Sequence, residues 1–279
     1  MEAPPAFRYI DAHTHLHPAR LAAAIRRWFD EHTDWNLRGP TEPAAVAADL
    51  RAAGVERFVF FSYAHRSGMA RELNRWLRDT ARTLPDGIPL GTVHAADEEP
   101  VAIVEEACGA FGFAGIKVHI QVQRFYPDDP RMLPVYERLV ELDRALVIHV
   151  GTGPHTNEFT GIARFTRVLE RLPGLRAVVC HMGAFETRAC LRLLDRFPSL
   201  YLDTTMAMTP ASFPFTRIDP ETVRDTDLVR YAERILFGSD FPNLPYPYEE
   251  ERRHLWGRDL PLAVYQRIFY ENARAVFRL

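Results

Sequence analysis

Imidazole, amine and carboxylate groups stand at the ends of several apolar runs of this 279-residue chain. His13 and His15 close the run 7–15, and Lys117 and His119 lie at the end of 114–120. His149 lies at the end of 145–150, His181 closes 175–181, and Asp240 closes 235–240. Residues two apart on a strand point to one face. His13 and His15 can therefore share one cation, and Lys117 and His119 share a face by the same rule. Neutral imidazole suits zinc and other borderline divalent ions, and a carboxylate such as Asp240 completes a site that keeps room for water. One strand-end histidine alone is more often a hydrogen-bonded core or surface group. Burying this many polar groups without partners would be costly, which favours a shared ligand. His17, His32, His65, His94, His155 and His254 lack that support, and most of them read as loop or surface residues.

The elements that must position these groups alternate in type. Strand-like runs cover 7–15, 57–63, 88–94, 114–120, 145–150, 175–181, 200–204 and 235–240, and several are continuously apolar, as strands buried on both faces are. Helical patterns cover 43–53, 69–83, 100–110, 133–143, 162–172 and 187–197. Gly54 and the pair Pro173-Gly174 supply stop signals. Repeated β-then-α units predict an α/β fold, a (β/α)8 TIM barrel forming a single domain over 1–279. An open doubly wound sheet is the competitor, but no Gly-rich phosphate fingerprint follows any strand. Long segments after the first, fifth, seventh and eighth strands are read as loop insertions at the C-terminal face, where barrels build substrate sites. The segment after the seventh strand, 205–227, is apolar and Pro-rich and reads as a lid or a homodimer contact. Phe213, Phe215, Phe241, Tyr246 and Tyr248 are candidates to line an apolar pocket over the mouth, or simply to cover the loops.

The polar pieces, taken together, resemble the amidohydrolase superfamily, in its amidohydrolase-2 branch. They are IDAHTH at 10–15, GIKVH at 115–119, VIHVG at 147–151, CHMG at 180–183, GSDFP at 238–242 and ENARAVF at 271–277. Ile120 stands where relatives often have Pro, and Ala184 where they often have a second Gly; neither touches a presumed ligand. The resemblance implies that His13, His15 and Asp240 bind a metal, with His149 as a further ligand and His181 as an acid/base or electrostatic group in one-metal members. In two-metal members His149 and His181 hold a second ion, and a carboxylated lysine at the position of Lys117 bridges the two. The implied cofactor is thus a divalent metal, zinc first, as one or two ions. The implied activity is metal-dependent hydrolysis of a small, carboxylated amide, lactone or ester, with Asp240 and His181 catalytic. Metal-dependent decarboxylation of an aromatic or muconate-type acid is the alternative, and Lys117 tilts the reading towards hydrolysis. His119, Gln121, Arg124 and His155 are candidate substrate contacts, Arg124 through its bidentate fork.

Composition restricts the partners. Charged residues make up 25% and apolar ones 47%, with a net charge of −3. That balance gives no electrostatic reason to expect nucleic acid, and no apolar run reaches the roughly 20 residues of a membrane helix. Three cysteines, Cys108, Cys180 and Cys190, match neither a disulfide framework nor a zinc-finger spacing and read as small buried residues. With no signal-like N-terminus, a cytoplasmic setting is expected, and a small molecule is the expected partner.

Overall fold

The computed structural model describes residues 8–279. Phe7, where the first strand is expected to start, lies outside them. The strands are β1 (Ile10–His15), β2 (Arg57–Phe61), β3 (Gly87–Pro89), β4 (Gly91–Thr92), β5 (Gly115–His119), β6 (Ala145–His149), β7 (Ala177–Val179), β8 (Leu200–Asp203) and β9 (Ile235–Leu236). All pair in parallel, in the order β1-β2-β3 and then β4 through β9. Leu90 joins β3 and β4 into one stave; its N–H donates to Phe60 O at 3.0 Å. The sheet closes on itself where Ala12 N–H donates to Phe237 O at 2.9 Å and His15 N–H to Phe241 O at 2.8 Å. Eight staves with helices outside are the expected (β/α)8 barrel.

The strands are continuously apolar because both faces are covered. Ile10, Val59, Ile88, Val147, Val178 and Leu236 pack together as the barrel interior. Their neighbours Phe58, Ile116, Leu146, Ile148 and Leu202 face the helices. The six expected helices are present, as Pro43–Ala52, Ala70–Ala81, Pro100–Val104 continued by a π-helical turn, Leu133–Glu141, Ile162–Arg171 and Thr187–Leu194. Pro43 sits in the first turn, where its missing N–H costs nothing, and Gly54 follows the end with φ 89°. No helix among the described residues is long and apolar enough to cross a membrane.

One segment read as loop is helical. Ala19–His32 forms a 14-residue helix after β1. Leu21, Ile25 and Trp28 fall on one stripe at helical spacing, yet Ala22 is the one fully buried residue of the helix. Leu21 and Phe29 pack against the core edge, and the apolar side as a whole lines the mouth of the barrel.

Candidate active site

The strand ends bring the expected groups together. A register shift between Asp11 and Thr14 bulges β1. Such a bulge changes which residues face inward, so His13 and His15 follow Ile10 and Ala12 to the inner side. Gly238 makes room there: a Cβ on it would lie 2.7 Å from the Cβ of His13. After β7 the chain turns through left-handed φ at His181 (56°) and Met182 (53°), which swings the His181 ring over the barrel end. His13 and His181 have ring centroids 5.2 Å apart, His149 and His181 4.7 Å, and His119 stacks on His149 at 4.0 Å.

Asp240 is the hub. Its Oδ1 accepts from His15 Nε2 at 3.0 Å. His13 Nε2 lies 3.0 Å from the same oxygen without forming a hydrogen bond. Burial alone would raise the Asp240 carboxyl, but His15 and His13 outweigh it and hold the group ionised, well below its usual range. Behind His13 stands Asp203, at the end of β8. Asp203 Oδ2 accepts from His13 Nδ1 at 2.8 Å, and its Oδ1 accepts from the backbone N–H of His181 at 2.8 Å. Burial opposes its ionisation, yet the His13 ring brings the Asp203 carboxyl down to about 2. This is the carboxylate–histidine pairing that fixes the tautomer of metal-ligating imidazoles, leaving the lone pair on Nε2.

The donors fit a divalent ion. The nearest ligand atoms of His13, His181 and Asp240 lie within 4.8 Å of one another. His13 Nε2 and His149 Nε2 are buried with no protein hydrogen-bond partner. Buried polar atoms are seldom left so, and a shared cation would satisfy them. Lys117, also buried, donates to Cys180 Sγ at 2.9 Å and lies 4.7 Å above the Phe61 ring.

A cavity of about 560 Å³ opens over these groups. Its lining holds eight histidines, Lys117 and Arg124, and a single carboxylate, Asp240. One carboxylate excludes the two-carboxylate chemistry of ordinary glycoside hydrolysis.

A family model described as amidohydrolase matches residues 10–279. The chain belongs to the amidohydrolase family. It is thus an enzyme of a metal-dependent superfamily. Among solved structures, this amidohydrolase resembles an uncharacterized TIM-barrel protein from Bordetella bronchiseptica, with TM-score 0.74, 18% identity, and 98% and 99% of the two chains covered. It resembles 5-carboxyvanillate decarboxylase from Novosphingobium aromaticivorans, solved with manganese and 4-hydroxy-3-methoxy-5-nitrobenzoic acid, with TM-score 0.69, 17% identity, and 98% and 96% covered. It also resembles 4-oxalomesaconate hydratase from Rhodopseudomonas palustris, with TM-score 0.62, 16% identity, and 97% and 95% covered. These likenesses establish the TIM-barrel fold. No curated protein sequence matches the chain.

Every residue expected at the site of this amidohydrolase lines the cavity: His13, His15, Lys117, His119, Gln121, Arg124, His149, His155, His181 and Asp240. Arg124 sits at the rim, largely exposed, 3.8 Å from Glu158 and over the Phe159 ring. Two expectations change. His17 lies in the loop after β1 but not at the surface: it is buried in the cavity wall, its Nδ1 2.8 Å from Ser62 Oγ. The aromatic lining comes from Trp28, Phe29, Trp35 and Tyr63. Phe213, Phe215, Phe241, Tyr246 and Tyr248 are outside it, because Phe241 packs edge-on to Tyr248, and Phe215 on Trp35 and Tyr246. Asp203 is the group sequence reasoning missed, although its position at the end of the run LYLD is the same signal that marked the histidines.

These imidazoles make the metal-free protein sensitive to acid. Burial lowers His17 to about 3 and His181 to about 4, and it also lowers His15, His119 and His149. The unfolded chain, with ordinary histidines near pKa 6.5, binds more protons below that pH than the folded one, so stability rises with pH through this window. His13 works the other way: burial and Lys117 oppose its charge, but Asp203 outweighs them and raises it. Burial also raises Asp11, to about 6, and Glu251, which act with His13, and it lowers His65 and His254; seven lowered imidazoles against three raised groups leave the net sign unchanged. We expect the Tm of chelator-treated protein to fall by several degrees between pH 7.5 and pH 5.5; a flat profile would contradict the buried, neutral assignment.

Proposed function

We propose that the chain is a metal-dependent hydrolase of a small, carboxylated amide, lactone or ester. The reading is carried by Asp240, the lone carboxylate of a cavity lined by histidines. His13, His15, His149, His181 and Asp240 would hold the ion, and an imidazole-rich set suits zinc. A divalent cation there would supply an acidified water and a Lewis acid for the scissile carbonyl. Asp240, held ionised by its two histidines, takes a proton at Oδ and returns it to the leaving group. His181, buried and neutral with its pKa at about 4, donates a hydrogen bond or acts as a further ligand. His119, Gln121, Arg124 and His155 contact the rest of the substrate. The candidate donor sets all include His13 and favour one ion. A second ion bridged by carboxylated Lys117 would require that amine to leave Cys180 and Phe61.

The one-ion arrangement also supports a second reading, decarboxylation, the activity named for the Novosphingobium structure. The two are separated by loading the protein with zinc or manganese and following two signals. One is acid release in a pH-stat from aryl esters, dihydrocoumarin and N-acyl amino acids. The other is CO2 release from 2,6-dihydroxybenzoate. Hydrolysis without CO2 is the expected result. CO2 release with no hydrolysis under either metal overturns the proposal in favour of the second reading.

A further inference from the structure

The rings at the barrel mouth form a closed circle. From His13 it runs to His15 at 5.3 Å, His17 at 5.6 Å, Tyr63 at 6.0 Å, His119 at 5.0 Å and His149 at 4.0 Å. It returns through His181 at 4.7 Å and 5.2 Å. The arc of His13, His15, His149 and His181, with Asp240, is the candidate cation side. The other arc, His17, Tyr63 and His119, has no role in that chemistry, yet it too is rich in unpartnered polar atoms.

His17 Nε2 and His119 Nδ1 are buried with no hydrogen-bond partner, and the Tyr63 hydroxyl makes no hydrogen bond among the described residues. All three residues line the cavity. Two buried ring nitrogens on one wall are seldom left unsatisfied, and the Tyr63 hydroxyl beside them is free to bond a ligand. His17 Nδ1 meets Ser62 Oγ at 2.8 Å; when that hydroxyl donates, the ring proton sits on Nε2. The wall offers ring N–H and phenol groups in a cavity whose lining holds one carboxylate, Asp240.

We infer that His17, Tyr63 and His119 form an oxyanion subsite that holds a carboxylate of the substrate, opposite the groups that attack its scissile bond. The inference rests on this cavity being the catalytic one, and it specifies the substrate as bearing a carboxylate apart from the reacting carbonyl. The apolar stripe of the Ala19–His32 helix would cover the carbon skeleton between the two.

Non-turnover ligands test the subsite separately from the reaction, since they bind whether the chain hydrolyses or decarboxylates. Isophthalate against benzoate, and glutarate against butyrate, each add one carboxylate to a common body. Calorimetry on the metal-loaded full chain is expected to show the dicarboxylate binding at least about tenfold tighter in one pair or both, the worth of hydrogen bonds to a charged group. Tyr63→Phe and His17→Asn should shrink that preference severalfold while leaving the monocarboxylate affinity in place. Asn keeps a hydrogen-bonding group at the position that meets Ser62 but cannot reach the ε position. His17→Gln reaches it and should restore part of the preference, which a purely structural role for His17 would not produce. A preference under threefold in both pairs overturns the subsite. So does a preference that survives both substitutions in variants whose Tm matches wild type.

Discussion

Asp240→Asn is expected to lower kcat/KM by at least about a thousandfold, while the protein folds normally. A thousandfold loss is roughly 4 kcal/mol of transition-state stabilisation, within the range general acid–base groups supply. The fold should survive because Asp240 has a φ of 75°, a left-handed conformation that Asn tolerates better than almost any other side chain except Gly. An amide oxygen can still accept from His15, but it cannot carry away a proton. It also removes the negative charge beside His13 and His15, so metal affinity falls too. Both effects must be read in one experiment: metal content by elemental analysis, turnover on whichever substrate the pH-stat screen identifies, and Tm. Near-normal turnover at full metal occupancy would show that Asp240 is not the proton acceptor. Loss of turnover with a collapsed Tm would instead make it a structural ion-pair residue.

Much of the fold is legible in the sequence because a barrel strand buried on both faces is written as an unbroken apolar run, and the polar residue that ends it marks the mouth. His149 ending ALVIH and Asp240 after ILFGS are of this kind. What escaped depends on contacts between distant segments. Asp203 ends LYLD in the same way, but its importance comes from His13, 190 residues away in the chain. His17 reads as a loop residue because its burial is supplied by Ser62 and Tyr63 on the next strand's end. The Ala19–His32 helix is concealed for a different reason. Its apolar stripe borders a cavity and only the edge of the core, so its composition stays mixed, with arginines on the outer side. Phe215, Phe241, Tyr246 and Tyr248 are conspicuous in sequence, yet they pack on one another and on Trp35, and Phe213 is exposed, leaving the cavity wall to Trp28, Phe29, Trp35 and Tyr63.

Asp203→Asn separates orientation from stability at the same centre. Asp203 does two things: one oxygen takes the His181 backbone N–H, the other takes the His13 Nδ1 proton. In the asparagine variant the amide oxygen stays with the His181 N–H, since turning the NH2 there would oppose two donors. The NH2 then faces His13 Nδ1 and donates to it. The ring proton moves to Nε2, the atom that faces Asp240 and would bind the ion. Loss of such an outer partner typically costs about 10- to 100-fold in metal affinity, and a tautomer reversed in this way belongs at the upper end. Asp203→Ala loses the same partner and also strands the buried His181 N–H, at about 1–3 kcal/mol of stability. The expected pattern is therefore that both variants bind zinc weakly in a chelator-dye competition, while only the alanine variant melts several degrees lower without metal. Zinc affinity within threefold of wild type in the asparagine variant would mean that His13 does not offer Nε2 to the ion, and the carboxylate behind it would be a structural residue alone.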